Sequence, residues 1–153
     1  YVSPMMTELK RILIAEDNAN DLELTLTALH ENGLANEVVA VRDGAEALDF
    51  LYCRGPFLGR ARGNPGVVLL DNKMPKVSGM DVLRQVKSDP GLRTIPIVML
   101  TSSREEADLI KSYDLGVNAY VVKPVEFTEF MSAVRELGVF WGLVNLTPPA
   151  PPG

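Results

Sequence analysis

Apolar positions along the chain alternate between two spacings. Residues 11–15 (RILIA), 37–41 (EVVAV), 67–70 (VVLL), 95–100 (IPIVML) and 119–122 (AYVV) are short and almost wholly apolar, as strands covered on both faces must be. Between them the apolar residues recur three and four apart, the period of a helix with one buried face. Leu22, Leu26 and Leu29 mark the first such helix, and Asn32-Gly33 ends it. Asp43-Gly-Ala-Glu46 starts a second with Ala47, Leu48 and Leu51 inward, running to about Arg54. Ser78 or Gly79 opens a third through Val82, Leu83 and Val86, and Ser103-Arg-Glu-Glu106 caps a fourth that ends at Leu115-Gly116. A fifth begins near Glu126 and shows Phe127, Phe130, Met131, Val134 and Leu137 on one side. Five βα units in succession predict an α/β domain around a parallel sheet.

The remaining segments carry no such period. Residues 55–65 (GPFLGRARGNP) read as a surface loop, long for an α/β connection. Residues 1–8 are expected to be an N-terminal extension and 9–137 the folded domain, with a C-terminal helix extension and Pro-rich tail at 138–153.

Composition narrows the functional classes. A formal net charge of −5 without a basic run disfavours direct nucleic-acid binding. Cys53 is alone, so no internal disulfide is expected. No apolar stretch has bilayer-spanning length and residues 1–7 lack signal-peptide character, so a cytoplasmic protein without membrane attachment is expected.

Open parallel sheets place ligands at the carboxyl ends of their strands. Here those ends carry Glu16 and Asp17, Asp71, Thr101, and Lys123. Carboxylates crowded together raise one another's pKa unless a cation compensates, and hard oxygen ligands select Mg²⁺ or Mn²⁺. A Mg²⁺ site built on Asp17 and Asp71 with Glu16 is therefore expected, with Asp71 able to act as an in-line nucleophile toward phosphorus.

Ile14-Ala-Glu-Asp17, Leu69-Leu-Asp-Asn-Lys-Met-Pro75, Met99-Leu-Thr101 and Val122-Lys-Pro124 together resemble the receiver domain of bacterial two-component response regulators over about residues 10–137. Each motif is weak alone, but four in order, each ending an expected strand, are specific. The resemblance implies a single-domain flavodoxin-like (CheY-like) fold, five parallel strands in the order 2-1-3-4-5 with helices on both faces. It implies Asp71 as phosphoacceptor, Glu16 and Asp17 as the acidic metal pair, the Lys73 backbone carbonyl as a further metal ligand, and Thr101 and Lys123 as grips on the phosphoryl oxygens. Tyr120 falls at the family's switching aromatic, so phosphorylation would alter the surface of the fourth helix, fifth strand and fifth helix. Phosphotransfer and autodephosphorylation would be self-catalysed, which makes the chain a switch and not a turnover enzyme. The Lys73 side chain is expected to tune dephosphorylation.

Residues 35–38 (ANEV), residues 42–48 (RDGAEAL) and the long loop before the third strand look like the stand-alone regulators that partner phytochromes. So does the ending Phe140-Trp141-x-Leu-Val-Asn145 followed by prolines. This implies a histidine kinase of the bacteriophytochrome class as phosphodonor. No output domain is expected after residue 146, so the altered surface would be read by another protein or a second copy. Phe140, Trp141, Leu143 and Val144 form an apolar cluster beyond the face the core needs, which predicts a homodimer through the C-terminal face.

Three other readings compete. A phosphatase with an Asp nucleophile needs a second Asp two residues on, where Lys73 stands. A dinucleotide-binding enzyme needs a Gly-rich turn after the first strand, where Asn18-Ala-Asn-Asp21 stands. A receiver-like module that binds partners without phosphorylation keeps the same residues and is the alternative to separate by experiment.

Overall fold

The computed structural model describes residues 11–31, 37–60, 63–117 and 119–137. Five strands, β1 (Ile12–Ala15), β2 (Val38–Val41), β3 (Val67–Asp71), β4 (Ile97–Thr101) and β5 (Ala119–Val122), pair in parallel in the order β2-β1-β3-β4-β5. Helices α1 (Ala19–Glu31), α2 (Gly44–Leu51), α3 (Gly79–Ser88), α4 (Arg104–Ser112) and α5 (Phe127–Glu136) alternate with them. The expected order and the helices on both faces are both present.

Successive strand side chains point to opposite faces, and this divides the core in two. Leu13, Val68, Leu70, Ile97 and Met99 pack with α2, α3 and Ile110 of α4. Ile12, Ile14, Leu69, Val98 and Leu100 pack with Leu29 of α1 and with Phe130, Met131 and Val134 of α5. The β1, β3 and β4 strand residues are almost fully buried, which is why these runs show no polar alternation.

Element ends differ from expectation where single residues intervene. The fourth ladder starts at Ile97 and not Ile95, because Pro96 has no N–H to donate and contributes only its carbonyl, to Val68 N at 2.9 Å. α2 stops at Leu51 because Cys53 turns left-handed with φ 54°, so this half-buried thiol lies beyond the helix. α4 stops at Ser112, ahead of a left-handed Asp114 with φ 51°. The expected N-caps are present: Asp43 Oδ1 accepts from Glu46 N at 2.8 Å, Ser78 Oγ from Asp81 N at 3.2 Å, and Ser103 Oγ from Glu106 N at 3.1 Å.

Residues 55–60 are tied to the domain. A 3₁₀ turn (Gly55–Phe57) brings Phe57 edge-on to Phe50, with ring centroids 5.2 Å apart. Arg60 donates from Nε to the Phe50 carbonyl at 2.7 Å and lies over the Phe50 ring. The connection thus covers the C-terminal end of α2 while leaving Leu58 exposed.

Two glycines let helix ends close on the β3–α3 connection. A Cβ on Gly79 would sit 2.3 Å from the Asp71 carbonyl oxygen, and one on Gly44 would sit 2.0 Å from that of Val77. Neither site has room for a side chain.

Candidate functional site

Strand order places β1 and β3 side by side with connections leaving in opposite directions, which opens a crevice at their carboxyl ends. The register aligns Ala15 with Leu70, Asp71 with Leu100, and Thr101 with Val122. Glu16, Asp71, Thr101 and Lys123 therefore arrive at one edge although more than a hundred positions separate the first from the last. The backbone bonds continue past the strands, from Glu16 N to Val41 O at 3.0 Å and from Lys123 N to Thr101 O at 2.7 Å.

Glu16, Asp17 and Asp71 each present a carboxylate oxygen within 4.8 Å of the others. Glu16 and Asp71 are buried and Asp17 is exposed, so the group has two fixed members and one facing water. Lys123 compensates in part: its Nζ lies 3.1 Å from Glu16 Oε1, 2.9 Å from Asp21 Oδ2 and 3.4 Å from Asp71 Oδ1. One ammonium against this many carboxylates leaves excess negative charge. Burial first, then the hydrogen bond and charge of Glu16, push the Asp71 carboxyl up to about 7 against the opposing pull of Lys123. Burial works against the Lys123 charge, but hydrogen bonding to Asp21 and the charges of Asp71 and Glu16 outweigh it and raise its pKa above the usual lysine value. Such an edge suits a hard divalent cation, whose charge would relieve the repulsion and whose oxygen-ligand preference the carboxylates meet.

Thr101 marks the other half of the site. It is fully buried, and among the described residues its Oγ1 has no hydrogen-bond partner. A buried hydroxyl left unpaired costs on the order of 1–3 kcal/mol. Replacing it with the similarly shaped Val is expected to stabilise the protein by about 1 kcal/mol. A lower urea midpoint for Thr101→Val at unchanged slope would contradict this.

Tyr120 is half-buried in β5, with its hydroxyl donating to the Val117 carbonyl at 3.1 Å and Lys111 Nζ 4.9 Å from its ring centroid. It lines a cleft of about 340 Å³ with Arg104, Lys111, Glu129 and Ser132, between α4 and α5. Lys73 is exposed on the connection after Asp71, and its charge acts on Glu106. Phe140, Trp141, Leu143 and Val144 lie outside the described residues.

Sequence reasoning missed Asp21, whose carboxylate makes the shortest contact to Lys123. It sits in the first turn of α1, where Asn18 Oδ1 accepts its N–H at 2.9 Å, and an acid there reads as an ordinary helix-start residue. Asn72 and Glu106 were also missed: Asn72 Nδ2 donates to Glu106 Oε1 at 3.2 Å across the site's rim.

With this geometry established, comparison with known proteins gives a consistent answer. The response regulator receiver domain family matches residues 12–135. The bacteriophytochrome response regulator AtBRR is 62% identical, with a TM-score of 0.87 over 91% of this chain and 99% of that one. The phosphorylated cyanobacterial phytochrome response regulator RcpA is 39% identical, with a TM-score of 0.70 over 93% and 99%. Response regulator Rcp1 of Synechocystis is 37% identical over 141 residues, which cover 92% of this chain and 94% of that protein. A structure of Rcp1 is a Mn²⁺-bound form, matched with a TM-score of 0.69 over 92% of this chain and 99% of that one. Receiver domains bind a divalent metal, and the acidic set here is of that kind. Among the described residues no helix is long and apolar enough to cross a membrane. The chain belongs to the response regulator receiver domain family and acts in two-component signalling.

Proposed function

We propose that Asp71 is the phosphoacceptor of this receiver, and that Glu16, Asp17, Asp71 and the Lys73 backbone carbonyl hold Mg²⁺ or Mn²⁺ beside it. The observation that carries the reading is the buried Thr101 hydroxyl, without a partner among the described residues, one position past the register partner of Asp71, whose carboxyl is pushed up to about 7. A group introduced there with an anionic oxygen gives that hydroxyl its partner. When bound, the cation supplies positive charge that keeps Asp71 ionised and offsets the charge of the incoming phosphoryl group. An Asp71 oxygen then forms the new P–O bond as the P–N bond to a donor histidine breaks, the imidazole leaving with the electron pair.

The energetics differ for the two residues that grip the phosphoryl group. Thr101 has nothing to give up, so a charge-assisted bond contributes its full value of roughly 1.5–3 kcal/mol. Lys123 must exchange Asp21 and Glu16 for phosphoryl oxygens and contributes only the difference. Inverting a two-state population from about 1:99 to 99:1 takes roughly 5.5 kcal/mol, so these bonds supply much of the shift and the metal's charge has a part to supply. Tyr120, on the α4–β5–α5 surface, is the residue proposed to report the change.

The donor proposed is a histidine kinase of the bacteriophytochrome class, supported by the similarity to AtBRR, RcpA and Rcp1. A cytoplasmic location and a homodimer through Phe140, Trp141, Leu143 and Val144 complete the proposal. Intact mass after incubation with acetyl phosphate and Mg²⁺ tests its core. A Mg²⁺-dependent phosphoryl adduct that disappears in Asp71→Ala is expected; its absence from the unaltered protein would favour a module that binds partners without phosphorylation.

A further inference from the structure

Asp71 and Thr101 stand on neighbouring strands, and the residue after each is held by the same side chain. Glu106, in the first turn of α4, accepts from Asn72 Nδ2 at 3.2 Å on one carboxylate oxygen. On the other it accepts from Ser102 N at 2.8 Å and from the Ser102 hydroxyl. Asn72 follows Asp71 in the chain and Ser102 follows Thr101. Helix capping does not account for this geometry. The Ser103 hydroxyl already receives Glu106 N, and the carboxylate reaches past Ser103 to the preceding N–H while also spanning to a different connection.

The consequence concerns Thr101. Its buried hydroxyl lacks a partner while the backbone N–H of the next residue is pinned by Glu106. The Thr101 backbone is continuous with Ser102, so a displacement of Thr101 toward an oxygen on Asp71 pulls on the contacts that Glu106 makes with Ser102.

We propose that Glu106 is a positioning residue of the phosphoryl switch, a latch joining the turn after Thr101 to the turn after Asp71 in the conformation that keeps the Thr101 hydroxyl unpartnered. The proposal rests on Asp71 being the phosphoacceptor. Formation of the acyl phosphate draws Thr101 inward and the latch must yield, so loosening it makes the reactive conformation easier to reach.

The two arms can be cut separately. Asn72→Ala removes the cross-link and leaves the Ser103 cap and the Ser102 arm in place. Glu106→Gln keeps the shape of the side chain but removes its charge, so the Ser102 arm becomes a neutral bond and the Asn72 arm persists only with the Asn72 amide turned over to accept through Oδ1. Each variant, the double variant and the unaltered protein are incubated with acetyl phosphate and Mg²⁺, and the rate of adduct formation is followed by intact mass. Each single change is expected to raise that rate about three- to tenfold, the range set by one or two lost hydrogen bonds. The double variant is expected to be no faster than the faster single, because one latch is removed only once. A cap lost from α4 would lower thermal stability in Glu106→Gln without accelerating Asn72→Ala. Slower or unchanged adduct formation in Asn72→Ala, or rates that multiply in the double variant, would overturn the latch while leaving Asp71 as phosphoacceptor. An unaltered protein that forms no adduct would remove the Asp71 reading and the latch with it.

Discussion

Lys123→Met should destabilise the metal-free protein by roughly 2–4 kcal/mol, the range for removing one partner of a buried ion pair, discounted for partial exposure to solvent. The side chain is 14% exposed and faces Glu16 and Asp71 carboxylates that are 1% and 4% exposed. Removing the ammonium leaves these charges with no cation within contact distance among the described side chains. Because the Lys123 pKa is raised on folding, its contribution is complete at neutral pH and is lost only as pH rises beyond the ordinary lysine range. The loss is expected to be larger at pH 8 than at pH 5, since Asp71 is largely protonated at the lower value and demands less compensation. Added Mg²⁺ should restore much of the deficit by supplying the missing positive charge. Urea unfolding of both proteins in chelator and in Mg²⁺ measures this. An equal loss in the two conditions would mean that Lys123 acts through packing of its stem and not through charge.

Asp21 is a further carboxylate at Lys123, and its omission from the sequence-based site shows where such reading stops. The strand ends were legible because the runs 67–70 and 95–100 are apolar throughout and deliver Asp71 and Thr101 as the first polar side chains at their ends. A parallel ladder then fixes which of them are neighbours, without further information from the helices. Asp21 and Glu106 sit on helices, where an acid in the first turn has a sufficient local explanation in the helix dipole and cap. Whether such a residue also reaches across to another element depends on helix rotation and on side-chain length, neither of which a period of 3.6 specifies closely enough. The β3–α3 connection gives the converse case. Gly79 was legible as a helix start, but its tight approach to the Asp71 carbonyl becomes visible only in three dimensions.

The same limit applies to residues 55–60. Lacking apolar period, they suggested a solvated loop, yet Phe57 and Arg60 both pack on Phe50. One aromatic and one guanidinium suffice to anchor a connection, and isolated residues have no periodicity to detect. Element ends moved for comparably local reasons, a missing N–H at Pro96 and left-handed backbone at Cys53 and Asp114.

Asp71→Asn should do two opposite things: abolish the phosphoryl adduct and stabilise the metal-free protein at neutral and alkaline pH. With the folded carboxyl at about 7 and an unfolded value near 3.9, the folded state holds the proton more tightly. Below about pH 4 both states are protonated and the difference has its full stabilising value. As pH rises through 7 the folded protein must also give up its proton, and stability falls until the titration is complete. The shift corresponds to at most roughly 4 kcal/mol, and screening at the solvent-facing edge reduces this to about 1–2 kcal/mol. In chelator, the unaltered protein should therefore lose stability between pH 4 and pH 7 more steeply than Asp71→Asn, and the variant should be the more stable of the two at pH 8. Mg²⁺ should reverse the order, because a cation needs Asp71 ionised and binds more tightly as pH rises through the same interval. Thermal melts of both proteins across this range, with and without Mg²⁺, measure the two slopes directly. A variant less stable than the parent in chelator at pH 8 would mean that the carboxylate cluster is compensated by Lys123 alone, and that the site has no unmet demand for a second positive charge.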